Sequence, residues 1–314
     1  MSTTLVFYSE FDSFEEWQAL LAPLLAPLLP GVCICREHDV EDPDSVLYAL
    51  AWKPPQGFFA RYRNLQLLVN LGAGVDSLVG RDDLPAIPIT RLSDPDMGRM
   101  MASYVLFAVL RYARDIPAFE RAQRERRWHY LHPRLPSSVR VGVLGLGELG
   151  SYAALELVRQ GFDVRGWSRS IKQLEGVTCV SGMDALDDFI ASSDILVVML
   201  PLTPQTNGLL SAERLALLPD GSCFINVSRG AVVDQQALTV ALASGKIGEA
   251  TLDVFDREPL PPQDPLWALD NVLITPHLAS VAIPATAAAQ VADNIQRLAR
   301  GEAILHQVDP ARGY

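Results

Sequence analysis

Apolar and polar positions along the chain follow two spacings. Short, nearly continuous apolar runs are each followed by a stretch in which apolar residues recur every three or four positions. The first pattern is typical of buried strands and the second of amphipathic helices, so the chain is predicted to consist of βα units with parallel sheets. The predicted strands lie in two series, at residues 4–8, 31–35, 46–51, 67–70 and 87–91, and at residues 140–144, 163–167, 178–180, 194–200, 222–227, 249–254 and 272–275.

The two series predict two domains. Between them, residues 96–127 form one long helical pattern whose apolar positions are too dense for a free surface helix. The first series lacks a closing helix, so we expect the last helical pattern, residues 284–300, to return to it. The predicted fold class is α/β, with two Rossmann-like or flavodoxin-like domains on doubly wound parallel sheets. The expected domains are residues 1–103 with 282–314, and residues 104–281.

The charge balance argues against two classes of partner. A formal net charge of −11 repels nucleic acid and anionic membranes, so neither is expected to bind. Four arginines between residues 121 and 127 are interrupted by Glu120 and Glu125, which favours a solvated helix face or a subunit contact. An anionic ligand would therefore depend on individual, well-placed arginines.

Cysteine usage and the most apolar segment indicate a cytoplasmic protein. Residues 19–35 contain three prolines and follow two glutamates, which is unlike a signal peptide or a spanning helix. The four cysteines form no C-x-x-C pair and lie in strand-like contexts, where buried free thiols are usual. We therefore expect a reducing compartment and no metal site.

Residues 139–150 read V-R-V-G-V-L-G-L-G-E-L-G, with a glycine turn between a predicted strand and a predicted helix. Gly145 permits the tight turn, Gly147 lets the backbone approach a pyrophosphate, and Gly150 lets the helix pack on the strand. The helix N-terminus offers free N–H groups and a positive dipole end to phosphates. This context predicts a dinucleotide site, which includes Glu148 and Leu149.

The end of the next strand distinguishes the two nicotinamide dinucleotides. NAD enzymes usually carry a carboxylate there, which binds the ribose hydroxyls. At this point the chain instead reads Trp167, Ser168, Arg169 and Ser170, with Lys172 beyond. Arg169 can pair bidentately with a 2′-phosphate, assisted by the serine hydroxyls and Lys172. NADPH is therefore the expected cofactor and NADH a weaker one; a solvated turn with an incidental arginine is the alternative.

Three further segments resemble a known family. They are F-I-N-V-S-R-G-A-V-V-D at 224–234, L-D-V-F-D-R-E-P-L-P at 252–261 and T-P-H-L-A at 275–279, and their order and spacing resemble those of the D-isomer-specific 2-hydroxyacid dehydrogenases. L-G-A-G-V-D at 71–76 extends the likeness to the first domain. W-K-P-P at 52–55, M-G at 97–98, W-S-R-S at 167–170 and the ending at 307–314 resemble the glyoxylate/hydroxypyruvate reductases within that family.

The resemblance implies that Arg229, Glu258 and His277 are the catalytic residues, in a cleft between the two domains. Reduction of a 2-keto acid needs a proton for the developing alkoxide, and an imidazole such as His277 titrates near neutral pH. Glu258 would hydrogen-bond the other ring nitrogen and favour the imidazolium. Arg229 would pair with the substrate carboxylate and polarise the ketone oxygen. Taken singly, Glu258 could also be a turn residue, His277 a loop cap and Arg229 a surface charge.

The remaining expected contacts also come from the resemblance. The loop of Gly72, Ala73 and Gly74 would bind the substrate carboxylate through backbone N–H groups. Trp52 and Met101 are the expected pocket walls, although both could be core residues. Further cofactor contacts implied by the resemblance are Leu200, Pro201, Leu202, Thr206, Val227, Ser228 and Asp253. Asp253 would either face the nicotinamide carboxamide or cap the end of its strand. The resemblance also implies a homodimer.

Together these features predict NADPH-dependent reduction of small 2-keto acids, glyoxylate to glycolate and hydroxypyruvate to D-glycerate. A tryptophan beside the carboxylate loop would leave room only for a short side chain. Two alternatives stay open: a reductase for a larger 2-keto acid, and a non-catalytic, dinucleotide-sensing binding protein with the same fold.

Overall fold

The computed structural model describes residues 3–309, so the ending at 310–314 lies outside the described residues. The chain forms two compact units. The first is Met1–Met97 with Val281–Tyr314, and the second is Gly98–Ser280. The sequence pattern predicts divisions after residues 103 and 281.

Strands and helices follow the two predicted series. The strands of the first unit are β1 Thr4–Tyr8, β2 Cys33–Arg36, β3 Val46–Ala51, β4 Leu67–Asn70 and β5 Ile89–Arg91. Those of the second are β6 Arg140–Leu144, β7 Asp163–Ser168, β8 Val177–Ser181, β9 Ile195–Val198, β10 Ser222–Asn226, β11 Ile247–Leu252 and β12 Val272–Ile274. The helices are α1 Phe14–Leu25, α2 Pro95–Ala113, α3 Ile116–Arg124, α4 Glu148–Arg159, α5 Leu186–Ala191, α6 Ala212–Leu217, α7 Gln235–Ser244 and α8 Pro284–Ala299.

The first unit is a parallel sheet in the order β2-β1-β3-β4-β5, which is the flavodoxin-like order. The last helix, α8, belongs to this unit and packs against α1. The side-chain amide of Gln290 in α8 donates to the Arg91 carbonyl, and its oxygen accepts the Ser93 N–H. These bonds tie α8 to the end of β5, so the unit is built from both ends of the chain.

The second unit is a parallel sheet in the order β12-β11-β10-β9-β6-β7-β8. This is the doubly wound dinucleotide-binding order with one strand added beyond β11. Because all strands run in the same direction, the loops after β6, β7, β9, β10, β11 and β12 emerge at one edge of the sheet. In such sheets, ligands bind at that carboxyl edge.

The long helix predicted over residues 96–127 is wrong as a single element. It is interrupted after α2, where Asp115 adopts a left-handed backbone with φ 55°. Pro117 lies in the first turn of α3, where its missing N–H costs nothing, whereas it would break a continuous helix. The apolar spacing did not reveal the break because both helices bury one face.

The α/β class and the two parallel sheets are confirmed. Both units carry strands that are almost fully buried, as expected for parallel sheets covered on both faces. No helix between residues 3 and 309 is long and apolar enough to cross a bilayer.

Candidate active site

The glycine turn after β6 shows a separate steric reason for each of its glycines. Gly145 has φ 118°, a backbone conformation that residues other than glycine rarely adopt. A Cβ there would also lie 2.6 Å from the Met199 carbonyl oxygen. A Cβ on Gly150 would lie 1.9 Å from the Gly145 oxygen, so the start of α4 rests directly on the turn. Gly147 is exposed, and a Cβ there would meet nothing within 4 Å. The turn therefore leaves an open backbone surface at the N-terminus of α4.

The end of β7 lies beside this turn, since Trp167 pairs with Leu144 at the end of β6. Ser168 is buried, and its hydroxyl donates to the Ser170 carbonyl 2.8 Å away, which closes a tight turn. Arg169, Ser170 and Lys172 are exposed. Two cationic side chains therefore stand at the strand end where an NAD enzyme would carry a carboxylate.

The three expected catalytic residues follow three neighbouring strands. Asn226 at the end of β10 pairs with Leu252 of β11, which pairs with Ile274 of β12. Arg229, Glu258 and His277 lie in the loops after these strands. The sheet register thus brings three residues that are far apart in sequence to one stretch of the sheet edge.

His277 and Glu258 form a hydrogen-bonded pair. The His277 Nδ1 lies 2.8 Å from Glu258 Oε2, and both side chains are about a quarter exposed, at 26% and 24%. A carboxylate oxygen can only accept, so Nδ1 carries a proton. The other carboxylate oxygen, Oε1, accepts the Phe255 N–H at 3.2 Å. Glu258 is therefore held by the backbone on one side and orients the imidazole on the other.

Asp253 organises the loop that carries His277. It is 1% exposed, and its carboxylate accepts the Thr275 hydroxyl at 2.6 Å and the N–H groups of Leu278 and Ala279 at 2.9 Å each. Its carbonyl also accepts the His277 N–H. His277 has φ 54°, a left-handed conformation that a non-glycine residue adopts only when its surroundings hold it there. Asp253 thus caps its strand end, and a contact with the nicotinamide remains a prediction.

Arg229 lies in a loop held by Asn226. The Asn226 side chain donates to the Arg229 carbonyl at 3.1 Å and accepts both the N–H and the hydroxyl of Ser228. A Cβ on Gly230 would lie 1.9 Å from the Phe255 carbonyl carbon. The Arg229 loop therefore packs against the backbone that leads to Glu258.

The further cofactor contacts that the resemblance implies lie at the same carboxyl edge of the second sheet. Val227 and Ser228 are buried next to Arg229. Leu200 is buried, Leu202 is half-buried and Pro201 is exposed after β9. The Thr206 hydroxyl donates to the Pro201 carbonyl at 2.6 Å and accepts the Thr203 N–H, so it shapes this loop. A phosphate contact by Thr206 stays a prediction.

The expected substrate residues of the first unit are held close together. Ala51 of β3 pairs with Asn70 of β4, so the segments after these two strands emerge side by side. The Trp52 ring covers Gly72 so closely that a Cβ on Gly72 would lie 2.4 Å from it. Met101 in α2 is 5% exposed and packs in a core cluster of the second unit, and its role as a pocket wall stays a prediction.

Sequence reasoning missed the residues that hold these loops. Asn70 and Asn226 each occupy the last position of a strand and bond the backbone of the loop that follows. The Tyr104 hydroxyl bonds that of Thr275, a contact that the apolar spacing of residues 96–127 does not indicate. A polar residue ending an otherwise apolar strand is the signal that could have identified the two asparagines. Between residues 3 and 309, no cluster of three or more metal-ligating side chains is present.

Comparisons with known proteins agree with this geometry. Residues 106–279 match the sequence profile of the D-isomer specific 2-hydroxyacid dehydrogenase, NAD binding domain. A glyoxylate/hydroxypyruvate reductase A from Yersinia enterocolitica is 37% identical over 99% of both chains.

Two solved structures match over their whole length. A D-isomer specific 2-hydroxyacid dehydrogenase from Xanthobacter autotrophicus, crystallised with NADPH and MES, is 62% identical with a TM-score of 0.95 and 100% coverage of both chains. An NADPH-dependent glyoxylate/hydroxypyruvate reductase from Sinorhizobium meliloti, with NADP and sulfate, is 33% identical with a TM-score of 0.92 and the same coverage. The chain therefore belongs to the D-isomer-specific 2-hydroxyacid dehydrogenase family.

Proposed function

We propose that this chain uses NADPH to reduce small 2-keto acids, glyoxylate to glycolate and hydroxypyruvate to D-glycerate. The observation that carries the proposal is the His277–Glu258 pair, with Nδ1 and Oε2 2.8 Å apart at the carboxyl edge of a dinucleotide-binding sheet. Relatives support the substrate class, since the matched reductases are named for glyoxylate and hydroxypyruvate.

The residues at the glycine turn fit a phosphorylated dinucleotide. The open face of Gly147 and the first N–H groups of α4 would hold the pyrophosphate. Arg169 and Lys172 would hold the 2′-phosphate, since both are exposed at the end of the neighbouring strand. When bound, NADPH supplies the hydride for the reduction.

His277 would supply the proton. Glu258 binds Nδ1, so Nε2 would be the proton donor to the developing alkoxide. Asp253 and Glu258 together hold the imidazole in place, which reduces the reorganisation needed during the reaction.

Arg229 would bind the substrate carboxylate and polarise the ketone oxygen. Its guanidinium can make two parallel hydrogen bonds, whereas it cannot donate a proton at physiological pH. Arg229 is half-buried, and its Nη1 donates to the Ser228 carbonyl at 2.7 Å, which limits the conformations of the side chain.

The loop after β4 would bind a carboxylate through its backbone N–H groups, and the Trp52 ring beside it would limit the size of the substrate. The N–H groups of Ala73, Gly74 and Val75 have no acceptor among residues 3–309 and can serve an anion. The Trp52 ring lies against the loop, so a bulky substrate side chain would compete with it.

An absorbance assay at the nicotinamide band tests the proposal. NADPH and NADH are each assayed against glyoxylate, hydroxypyruvate and longer 2-keto acids up to phenylpyruvate. The expected optimum is NADPH with the two smallest acids. An optimum at phenylpyruvate would indicate a reductase for larger acids, and dinucleotide binding without turnover would indicate a binding protein.

Replacement of His277 tests the proton donor. His277→Ala should lower kcat by about 10²–10⁴-fold while leaving the Kd for NADPH unchanged. His38→Ala is a matched control because His38 also lies beside a carboxylate, with Nε2 3.6 Å from Asp39 Oδ1, but its side chain is 74% exposed in the first unit. Equal activity of the two variants would remove His277 from the mechanism.

Two further parts of the proposal concern assembly and location. We propose a homodimer, because Trp128, Tyr130 and Leu135 are 98%, 73% and 72% exposed in one segment without helix or strand. Large exposed apolar residues close together are typical of a protein contact. Four free thiols fit the reducing cytoplasm. Sedimentation of wild type and Trp128→Ser would test the dimer: both remaining monomeric would contradict it.

A further inference from the structure

Asn70 is a polar side chain inside the first unit. It ends β4 and is 0% exposed. Its Nδ2 donates to two loop carbonyls, that of Gly72 at 2.8 Å and that of Gly74 at 2.9 Å. An amide oxygen in that position would repel both carbonyls, so the two acceptors determine the orientation of the amide.

The two hydrogen bonds of Asn70 determine the directions of two backbone N–H groups in the loop. In a trans peptide the C=O and the following N–H point in opposite directions. Because the Gly72 carbonyl points towards Asn70, the Ala73 N–H points away from it. For the same reason the Gly74 carbonyl directs the Val75 N–H away from Asn70. Both N–H groups are therefore turned away from the buried Asn70 side chain; Ala73 is partly exposed and Val75 is buried.

The Ala73–Gly74 peptide, which lies between the two peptides held by Asn70, is held from β5. Arg91 Nη1 lies 3.4 Å from the Ala73 carbonyl, and the Leu92 N–H donates to the Gly72 carbonyl at 3.2 Å. Each carbonyl of the loop from Gly72 to Gly74 therefore has a donor from β4, β5 or the segment after β5. The corresponding N–H groups make no hydrogen bond within residues 3–309.

We propose that Asn70 is a positioning residue for the substrate carboxylate: its buried amide orients the Gly72 and Gly74 peptides so that the Ala73 and Val75 N–H groups converge on the anion. The proposal rests on the function proposed above. Asn70 does not itself touch the substrate; it acts through the backbone.

The cost of burying Asn70 supports a functional role. Its Oδ1 faces no donor among the described residues, and a buried unpaired oxygen lowers stability. An apolar residue would avoid that cost at the end of an otherwise apolar strand. Only a side chain with two N–H donors at one atom can hold both carbonyls at once, and among the short side chains this is asparagine.

The test compares Asn70→Ala with a matched variant, Asn294→Ala. Asn294 is also 0% exposed and lies in the same unit, and its side chain bonds the backbone of Leu305 through both Nδ2 and Oδ1. Steady-state kinetics with glyoxylate and NADPH, the Ki for oxalate as an unreactive carboxylate, and the Kd for NADPH are measured for wild type and both variants.

Asn70→Ala should raise the KM for glyoxylate and the Ki for oxalate by the same factor, about tenfold, with a smaller change in kcat and an unchanged Kd for NADPH. Asn294→Ala should leave KM and Ki unchanged. Equal KM and Ki values for the two variants, with wild type active, would overturn the role of Asn70 and leave the proposed function standing. Absence of turnover in wild type would overturn the proposed function.

Asn70→Asp provides a second readout if the alanine variant does not fold. An ionised aspartate has no donor for the two carbonyls, whereas a protonated one regains a donor. The ratio of its KM to that of wild type should therefore rise with pH. A ratio independent of pH, together with a normal oxalate Ki, would contradict the proposal.

Discussion

Two glycine segments of this chain expose backbone N–H groups at the carboxyl end of a strand, but they are ordered in different ways. The turn at Gly145–Gly150 is ordered by steric contact between its own glycines and by the helix that begins within it. The loop at Gly72–Gly74 has no helix behind it and is held by the side chain of Asn70 and by Arg91 and Leu92. The first arrangement depends mainly on close backbone packing, and the second on a side chain two and four residues away together with donors from β5 and the segment after it.

The largest effect is expected at Gly150, where a side chain would break the first arrangement. Gly150→Ala places a Cβ 1.9 Å from the Gly145 oxygen, which is backbone and cannot move aside. We expect loss of roughly 3 kcal/mol of unfolding free energy and of measurable NADPH binding. Gly147→Ala is the control: its Cβ meets nothing within 4 Å, so folding should be unchanged while NADPH binds more weakly. Denaturant unfolding and fluorescence titration would check both, and a stable, cofactor-binding Gly150→Ala would contradict the comparison.

A smaller effect is expected at Gly72, because its neighbour is a side chain. Gly72→Ala places a Cβ 2.4 Å from the Trp52 ring, so the ring must shift. We expect the KM for glyoxylate to rise by about tenfold, equivalent to ~1.4 kcal/mol, with NADPH affinity unchanged. Trp52→Leu should relieve the collision, so the double variant should be less impaired than the sum of the two single variants. Strict additivity would mean that the ring does not confine the loop.

The cofactor preference should change moderately when Arg169 is replaced. Arg169→Ala should weaken NADPH by about tenfold or more, the value of a charge-assisted contact, and leave NADH unaffected. The two dinucleotides differ only in the 2′-phosphate, so NADH serves as the internal control. Equal losses of affinity for both dinucleotides would show that Arg169 does not bind the 2′-phosphate and is only an exposed turn residue.

The smallest expected effect concerns the thiols of the two units, which should differ in reactivity without affecting turnover. Cys33 is exposed in the first unit, whereas burial raises the pKa of Cys223 in the second to about 12. Thiolate is the reactive form, so Cys223 should remain unlabelled by an alkylating reagent below pH 10, while Cys33 is labelled first. Mass spectrometry of partly labelled protein would show the order, and early labelling of Cys223 would contradict it.

The elements were predicted far better than the connections between them. Each predicted strand is present, with ends shifted by a few residues, because a buried parallel strand needs an apolar run whatever surrounds it. The break at Asp115 was not predicted, since apolar spacing continues across it. The two long-range contacts of Asp253 with Leu278 and Ala279 were not predicted either, because strand register alone brings them together.

The amino-acid sequence is enough to locate the strands, the glycine turn and the order of the catalytic segments, because each rests on spacing or on a steric requirement between near neighbours. The way in which the loops are held follows from the folded chain. Asp253 reaches residues 25 and 26 positions away to hold the His277 loop. Asn70 could be read as a residue at a strand end, but its function depends on where the two carbonyls lie in space. A hydrogen bond needs its donor and acceptor to be about 3 Å apart and aligned, and only the folded backbone determines both.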